Sequence, residues 1–428
     1  MNQNFFQFDQ KIEKAAEVAL SLCRPSFSLI EETAQYNSMK VLAAFTQNKV
    51  SEAHFSGSTG YGYDDRGRET LDKVFAQAFG AQAALVRQQF VSGTHAIATA
   101  LFGVLRPGDV MLACTGKPYD TLDEVVGLRG QGTGSLIDFG VVYRQIDLMD
   151  GEPDIPQIVT ALKSQLEETG KPVKMAYIQR SRGYSLRPSL TIEKIREIAS
   201  AVKAASPETL VIVDNCYGEF VEKEEPVQAG ADLMIGSLIK NAGGGIAQTG
   251  GYIAGRGDLV ELAAYRLTAP GAGSEVGATL SESRNMFKGF FLSPHVVGEA
   301  VKTAVFAAAL FELLGYKTTP RFDAPRTDIV QTVELGSPAA LIAFCRGIQS
   351  GSPVDSHVAP EPWAMPGYDS KVIMAAGAFT LGSSIELSAD APLRKPYAVW
   401  MQGGLTFESG RAGALCAAQA LANGGFLK

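Results

Sequence analysis

The chain has 428 residues, of which 46% are hydrophobic and 19% charged, and its formal net charge is −7. This length and apolar content exclude a disordered or fibrous protein, and a prior of roughly 150 residues per domain predicts two or three domains. The negative charge balance does not favour binding to nucleic acid or to an anionic membrane surface.

The cysteines and the apolar runs indicate a cytoplasmic protein. Five cysteines lie far apart in the chain and form no C-x-x-C pair, so neither a metal site nor a disulfide framework is expected. No apolar run approaches the roughly 18 residues of a membrane span. The N-terminal segment lacks the basic, apolar and small-residue order of a signal peptide.

Helical and strand patterns alternate along most of the chain. Residues 9–50 predict helices, and residues 54–68 predict a loop rich in glycine, tyrosine and charge. Beyond this loop, the predicted strands are 83–87, 109–115, 173–179, 209–215 and 232–237, and the predicted helices are 69–79, 93–105, 155–168 and 191–206. Short strands that are apolar on both faces and alternate with helices are typical of a mostly parallel α/β sheet covered on both sides.

The pattern changes near residue 296. Residues 297–316 predict a long helix that ends at Gly315, and shorter strands and helices follow it. We therefore predict an N-terminal helical segment over 1–53, a large α/β domain over 54–295 and a smaller α+β domain over 296–428. In open α/β sheets, ligands bind at the carboxyl ends of the strands, so polar residues at these ends are candidate site residues.

Three polar features fall at strand ends or helix starts. Residues 92–94 (Ser-Gly-Thr) begin a helix and either bind a phosphate through backbone N–H and hydroxyl groups or form an ordinary N-cap. Asp214 ends a buried strand, where a carboxylate needs a cationic ring nitrogen, a metal, a salt bridge or a helix N-terminus as its partner. Tyr119 follows a strand and either stacks on a flat cofactor or packs as a structural residue.

A fourth feature is Lys240, which follows the apolar strand over 232–237 and precedes a run of three glycines. A partly desolvated lysine loses its proton more easily and can form a Schiff base, although a surface lysine before a loop has the same pattern. The motifs that accompany a Ser-x-x-Lys acylation site are absent, and the glycine run does not match a nucleotide P-loop.

Together these features predict one ligand, pyridoxal 5′-phosphate (PLP). Each part of PLP has a partner in the chain: 92–94 and Ser237 for the phosphate, Tyr119 for the ring, Asp214 for the ring nitrogen and Lys240 for the aldehyde. The interval between the aspartate and the lysine fits one short helix and one strand, which places both residues at adjacent strand ends. An acidic partner keeps the ring nitrogen protonated, so that the ring acts as an electron sink.

The chain resembles the fold-type I family of PLP-dependent enzymes, in particular the Cys/Met-metabolism branch of cystathionine β-lyases and methionine γ-lyases. Within that branch it is most similar to the aluminium-resistance, or methionine-γ-lyase-like, proteins. The resemblance runs from about Phe27 to Leu421 and includes TGYGYDDRGRETLD, ALVRQQFVSGTHA, AYIQRSRGY, SLIKNAGGGIAQTGGYIAG and MQGGLTFE.

The resemblance implies a role for each matching residue. Lys240 would form the Schiff base and then move the α-proton, while Asp214 would face the pyridine nitrogen. Tyr119 would stack on the ring at the catalytic centre. The groups implied around the phosphate are Ser92, Gly93, Thr94 and Ser237.

The resemblance also implies an oligomer. In this family a tyrosine and an arginine from a neighbouring subunit reach the phosphate, and the matching loop here contains Tyr61, Tyr63, Arg66 and Arg68 at a different spacing. A homodimer or homotetramer with active sites shared between subunits is therefore expected.

The substrate carboxylate normally meets an arginine of the small domain. Arg394 is the candidate and Arg411 the reserve, each with a surface arginine as the alternative. Arg180 and Arg182 follow a strand end and either bind a second substrate carboxylate or pair with acidic residues.

We predict a PLP-dependent carbon–sulfur lyase that acts on a sulfur amino acid of the cystathionine, cysteine or methionine type. The steps would be exchange at Lys240, removal of the α-proton and loss of a thiol from the β or γ carbon. One alternative is an aminotransferase, racemase or aldolase, because one fold supports many reactions. A further alternative is a PLP-fold protein without turnover.

Overall fold

A computed structural model describes residues 5–130, 132–365, 368 and 370–427. The helices are α1 Gln10–Gln47, α2 Arg66–Phe79, α3 Gly93–Val104, α4 Asp123–Val126, α5 Ile155–Thr169, α6 Ile192–Ala205, α7 Gly257–Leu267, α8 Ser283–Leu313, α9 Pro338–Ser350 and α10 Phe407–Asn423. The strands are β1 Ala83–Arg87, β2 Val110–Ala113, β3 Val142–Gln145, β4 Met175–Gln179, β5 Leu210–Asp214, β6 Leu233–Ser237, β7 Gly251–Gly255, β8 Lys317–Thr319, β9 Val330–Glu334, β10 Val372–Ala375, β11 Ser388–Pro392 and β12 Ala398–Gln402.

The chain divides into two compact units. One unit is Tyr36–Ser293, and the other combines Met1–Gln35 with Pro294–Lys428. The three-part division at residues 53 and 295 stays a prediction. None of the described helices is both long enough and apolar enough to cross a membrane.

The unit over Tyr36–Ser293 contains a seven-stranded sheet in the order β1-β7-β6-β5-β4-β2-β3. The five neighbouring strands β6, β5, β4, β2 and β3 run parallel to one another. Strand β7 runs antiparallel to both of its neighbours, β1 and β6. Every residue of β4, β5 and β6 is buried, as a sheet covered on both faces requires. The predicted α/β fold with a mostly parallel sheet is therefore confirmed.

The helix termini of this unit follow from local sequence. The Asp65 side chain accepts the backbone N–H of the third residue of α2, and Thr191 caps α6 in the same way. Gly80 and Gly170 end α2 and α5 with φ values of 72° and 68°, a left-handed conformation that glycine adopts without strain. These caps set where each crossover begins and ends.

Five elements of this region differ from the sequence prediction, including the short helix α4, which was not predicted. Neither β3 nor β7 was expected, because β3 is an edge strand without buried residues and β7 begins and ends with glycine. Helix α7 was missed, and α8 begins at Ser283 rather than at 297. Pro294 lies inside α8 and interrupts the helical pattern, since proline usually ends or begins a helix.

The other unit contains a five-stranded antiparallel sheet in the order β10-β11-β12-β9-β8. Its core combines apolar residues of α1, α8, α9 and α10 with the inner face of this sheet, for example Ile12, Phe306, Phe344 and Val399. The predicted α+β character of the C-terminal region is confirmed.

Candidate active site

The site is built at the carboxyl ends of two adjacent parallel strands. β5 ends at Asp214 and β6 ends at Ser237, with Asp214 paired in register with Ile235. Lys240 is the third residue after β6 and precedes a short turn over Asn241–Gly243. The predicted neighbouring of the aspartate and the lysine at adjacent strand ends is thus confirmed.

Asp214 is a buried carboxylate with weak local support. The exposed fraction of Asp214 is only 6%. The backbone N–H of Cys216 donates to Oδ1 at 3.1 Å, and the Tyr177 hydroxyl donates to Oδ2 at a long 3.5 Å. Burial raises the pKa of Asp214, while the cationic Lys240 opposes that rise. A cationic ligand at this carboxylate would stabilise its charged form.

Lys240 lies against an aromatic ring. Its Nζ is 4.2 Å from the ring centroid of Tyr217, within the range of a cation–π contact. Tyr217 has a φ of 73°, which non-glycine residues rarely adopt. The side-chain amide of Asn241 donates to the Tyr217 carbonyl at 2.9 Å and so holds this strained residue beside the lysine.

The protonation of Lys240 differs from the sequence-based expectation. Burial does lower the pKa of Lys240, but the acidic neighbours outweigh burial and raise it above its ordinary value. These neighbours are Cys216, Tyr217, Asp214 and Glu219. The expectation that partial desolvation deprotonates this lysine is therefore wrong, because it did not count the acids placed around it.

The start of α3 combines a helix cap with free amide groups. The Ser92 hydroxyl accepts the backbone N–H of His95 at 3.1 Å and is the N-cap. The Thr94 hydroxyl lies 2.8 Å from the hydroxyl of Thr121. The first amides of a helix have no intrahelical acceptor and favour an anion, so the cap and the phosphate interpretations are compatible.

Gly93 and Ser237 form a cradle at this helix terminus. A Cβ at Gly93 would lie 3.2 Å from the Ser237 Cβ and 3.4 Å from the Cys216 Sγ, so a side chain there would crowd both residues. The Ser237 hydroxyl is fully buried and has no hydrogen-bond partner among the described residues. An unpaired buried hydroxyl beside a helix N-terminus fits the phosphate of PLP.

Tyr119 and Arg182 lie in one neighbourhood of the same unit. A Cβ at Gly183 would come within 3.0 Å of the Tyr119 ring, and the Tyr184 ring is centred 5.9 Å from that ring. Arg182 is buried, and both its backbone N–H and its Nε donate to the Ser189 hydroxyl, at 3.1 and 3.3 Å. The loop after β4 therefore contains Arg182 and packs against Tyr119, so the two candidate residues lie in the same neighbourhood.

Arg180 forms its hydrogen bonds with other groups of the protein. Its buried guanidinium donates to Asn215 Oδ1 at 2.8 Å, to the Gly218 carbonyl at 3.0 Å and to Glu222 Oε2 at 2.7 Å. Two alternatives were open for this arginine, and its contacts agree with pairing to an acidic residue, Glu222. Arg180 thereby holds the loop that follows Asp214.

The two arginines of the tyrosine-rich loop have different surroundings. The buried Arg68 guanidinium donates to the carbonyls of Gly62, Gly277 and Glu275 at 2.6, 2.9 and 3.2 Å. Arg66 is exposed, and the exposed fractions of Tyr61 and Tyr63 are 78% and 62%. Arg68 therefore supports the loop from within, whereas Tyr61, Tyr63 and Arg66 face outward.

This contrast predicts different effects for the same substitution. Arg68→Met should lower the free energy of unfolding by about 2 kcal/mol, because three carbonyls lose a charged donor. Arg66→Met should leave it within about 0.5 kcal/mol of the wild type. Urea unfolding followed by circular dichroism measures both values. Equal stabilities of the two variants would contradict the assignment.

The candidate arginines for the substrate carboxylate lie in the other compact unit. Arg394 is exposed and lies between β11 and β12. Arg411 lies in α10, with its guanidinium carbon 5.6 Å from the ring centroid of Phe306. The roles of both arginines stay predictions.

Sequence reasoning missed three residues around the strand ends: Tyr177, Tyr217 and Glu219. Tyr177 lies inside an apolar strand and looks like an ordinary core residue. Glu219 lies in the segment CYGEF, where a charged residue among apolar and aromatic residues was the available signal. The left-handed backbone of Tyr217 has no signature in the sequence.

Comparison with known structures defines the class of fold. The pyridoxal-5′-phosphate dependent protein YhfS of Escherichia coli has a TM-score of 0.61 at 17% identity and covers 92% of this chain and 97% of its own. At this identity the likeness concerns the fold alone. The chain has the fold-type I architecture.

Closer relatives define the family. The sequence profile of the methionine gamma-lyase family matches residues 12–422, and the chain belongs to that family. YnbB of Bacillus subtilis is 51% identical over 391 residues, which is 91% of each chain. The carbon-sulfur lyase involved in aluminum resistance from Clostridium novyi NT has a TM-score of 0.91 at 47% identity, with 96% of each chain covered.

Proposed function

We propose that the protein is a PLP-dependent carbon–sulfur lyase that acts on a sulfur amino acid of the cystathionine, cysteine or methionine type. The observation that carries this proposal is that Asp214 ends β5 and Lys240 follows the end of the adjacent strand β6. The last residue of β6 is Ser237, whose buried hydroxyl has no hydrogen-bond partner among the described residues. Membership of the methionine gamma-lyase family supports it. The carbon-sulfur lyase of Clostridium novyi, at 47% identity, supports the reaction class.

The residues present fit PLP. Lys240 would hold the aldehyde covalently, and Asp214 would hold a proton on the ring nitrogen. The phosphate would meet the groups at the start of α3 and the end of β6, namely Ser92, Gly93, Thr94 and Ser237. Bound PLP supplies an electron sink for the substrate α-carbon. Tyr119 would cover the ring face, and the Lys240 amine, once displaced by substrate, would take the α-proton.

Other residues would recognise the substrate and complete the site. Arg394 would bind the α-carboxylate, and Arg182 would bind a second carboxylate. The outward-facing Tyr61, Tyr63 and Arg66 would reach the phosphate of a second copy of the chain. The proposed unit is therefore a homodimer or homotetramer.

A product assay tests the reaction class. The PLP-loaded protein is incubated separately with L-cystathionine, L-cysteine and L-methionine, and keto acid, ammonia and free thiol or sulfide are measured. Elimination consumes one water and releases the three products in equal amounts. Keto acid that appears only when an amino acceptor is present would indicate an aminotransferase instead. No product from any of the three substrates would contradict the proposal.

Ser237→Ala tests the phosphate cradle. Since the hydroxyl has no partner among the described residues, its loss should leave thermal stability unchanged. The affinity for PLP should fall about tenfold, as expected for one lost hydrogen bond to a charged group. Absorbance titration with PLP measures the affinity. Ser206→Ala, which removes a buried hydroxyl bonded to Thr209, should lower stability without changing that affinity.

A further inference from the structure

The segment after β2 brings a hydroxyl group to the start of α3. The Thr94 hydroxyl oxygen lies 2.8 Å from that of Thr121, and either group can be the donor. Thr94 is the second residue of α3, whereas Thr121 lies 27 positions further along the chain, between β2 and β3. Both residues are half-buried, and both belong to the unit over Tyr36–Ser293. The contact therefore joins the helix terminus to a segment that follows a different strand.

The turn that carries Thr121 begins directly after Tyr119. This short turn covers Asp120–Leu122, and the Leu122 N–H donates to the Tyr119 carbonyl at 2.8 Å. The Leu122 side chain is 1% exposed and belongs to the same buried hydrophobic cluster as Ile97 of α3. The turn is therefore anchored in the core that α3 also covers, with Thr121 facing the start of that helix.

Two observations at this helix terminus point to an anionic ligand. The first amides of α3 have no intrahelical acceptors and lie at the positive end of the helix dipole. Independently, the Ser237 hydroxyl is fully buried and has no hydrogen-bond partner among the described residues. Its oxygen lies 3.9 Å from the position that a Cβ would take at Gly93, the first residue of α3. A buried donor without an acceptor, beside a helix N-terminus, fits a phosphate group.

The direction of the Thr121–Thr94 hydrogen bond follows from such a ligand. The oxygens of a phosphate dianion only accept hydrogen bonds, and a threonine hydroxyl has one proton. If the Thr94 hydroxyl donates to the phosphate, its contact with Thr121 at 2.8 Å is one in which Thr94 accepts. A hydroxyl that accepts one hydrogen bond while it donates another is polarised and donates more strongly. Thr121 would therefore orient and strengthen the contact of Thr94 with the phosphate.

We propose that Thr121 is a positioning residue for the phosphate of the cofactor and that it acts by donating to the Thr94 hydroxyl. The inference rests on the proposed function, since the phosphate is that of PLP. It adds a group from the segment after β2 to the groups at the start of α3 and the end of β6. Because the turn of Thr121 begins after Tyr119, it also connects the phosphate end of the site to the residue proposed to cover the ring.

Titrations of the cofactor-free protein with PLP and with pyridoxal, which lacks the phosphate, test this role. Thr121→Val removes the hydroxyl at nearly unchanged size and should lower the affinity for PLP about fivefold, as expected for one lost hydrogen bond. The affinity for pyridoxal should not change, because no phosphate is there to receive the Thr94 proton. Thr121→Ser keeps the hydroxyl and should bind PLP as the wild type does. Visible absorbance measures each affinity.

A double variant tests whether Thr121 acts through Thr94. In a Thr94→Val background, Thr121→Val should cause no further loss of PLP affinity, because the hydroxyl that Thr121 orients is already absent. Thr160→Val, the same substitution at an exposed threonine of α5, is the matched control and should leave both affinities at the wild-type value.

The outcomes separate this inference from the proposed function. A wild-type protein that shows no absorbance from lysine-bound PLP overturns the proposed function and this inference with it. A normal wild-type titration with an unchanged PLP affinity in Thr121→Val overturns the inference alone. Equal losses of affinity for PLP and pyridoxal, or an undiminished loss in the Thr94→Val background, would assign Thr121 to the support of the fold and also overturn it. If Thr121→Val does not fold, Thr121→Ala takes its place and the same outcomes decide.

Discussion

Lys240→Ala is expected to abolish keto-acid release from every substrate that the wild-type protein cleaves, by about 10⁴-fold or more. In the proposed function one amine would have two tasks, because it would hold the cofactor aldehyde and would then take the α-proton. Lys240 lies three residues after β6, at the sheet edge where Asp214 ends β5, so the amine lies near the residue proposed to face the ring nitrogen. The variant should also lose its PLP on desalting, which visible absorbance measures.

Two further variants give this experiment its controls. Lys240→Arg keeps a positive charge beside Asp214 but cannot form the covalent bond, so it should be as inactive as the alanine variant. If Lys240 acted only as a counter-ion, the arginine variant would keep activity. Lys223→Ala, at an exposed lysine, should cleave substrate at the wild-type rate. Retention of activity in Lys240→Ala would contradict the proposed mechanism.

The strand ends were predictable because they depend on local patterns. β4, β5 and β6 are runs of consecutive buried residues, so their limits are visible in the sequence. Parallel strands joined by crossovers must end on the same edge of the sheet. The sequence therefore predicts that Asp214 and Lys240 lie at adjacent strand ends.

The surroundings of these residues were not predictable because they depend on distant parts of the chain. The different burial of Arg66 and Arg68 follows from carbonyls more than 200 residues away, at Glu275 and Gly277. The Glu219–Tyr252 hydrogen bond crosses 33 residues and needs the glycine at 236. From the sequence, burial is expected to lower the pKa of Lys240. In the fold, the acidic groups around this lysine raise its pKa above the ordinary value.

Asp214→Asn is expected to lower the lyase rate by about a hundredfold or more while making the cofactor-free protein more stable at neutral pH. Asparagine has the same shape and still accepts the Cys216 N–H, but it cannot hold a proton on the cofactor ring nitrogen. The stability gain has a separate cause. Burial raises the pKa of Asp214, so ionising this group in the folded protein costs free energy that the unfolded chain does not incur.

The pH dependence of this gain follows from the direction of the shift. Below the ordinary aspartate pKa of about 3.9, Asp214 is neutral in both states and the variant has no advantage. As the pH rises from there toward the raised pKa of the folded protein, the unfolded wild type ionises first, and the advantage of asparagine grows. Urea unfolding of both proteins from pH 4 to pH 8 measures this difference. A variant that is less stable than the wild type at neutral pH would contradict it.

Asp232→Asn is the matched control for both effects. Asp232 is also buried, but its carboxylate accepts from Lys203 at 2.7 Å and from the backbone N–H of Val211 at 2.7 Å. Its replacement removes the ion pairs with Lys203 and Arg256, so the protein should lose about 1–3 kcal/mol of stability and keep its catalytic rate. Opposite signs at Asp214 and Asp232 would show that the carboxylate at the end of β5 is retained for its charge toward a ligand, at the expense of the fold.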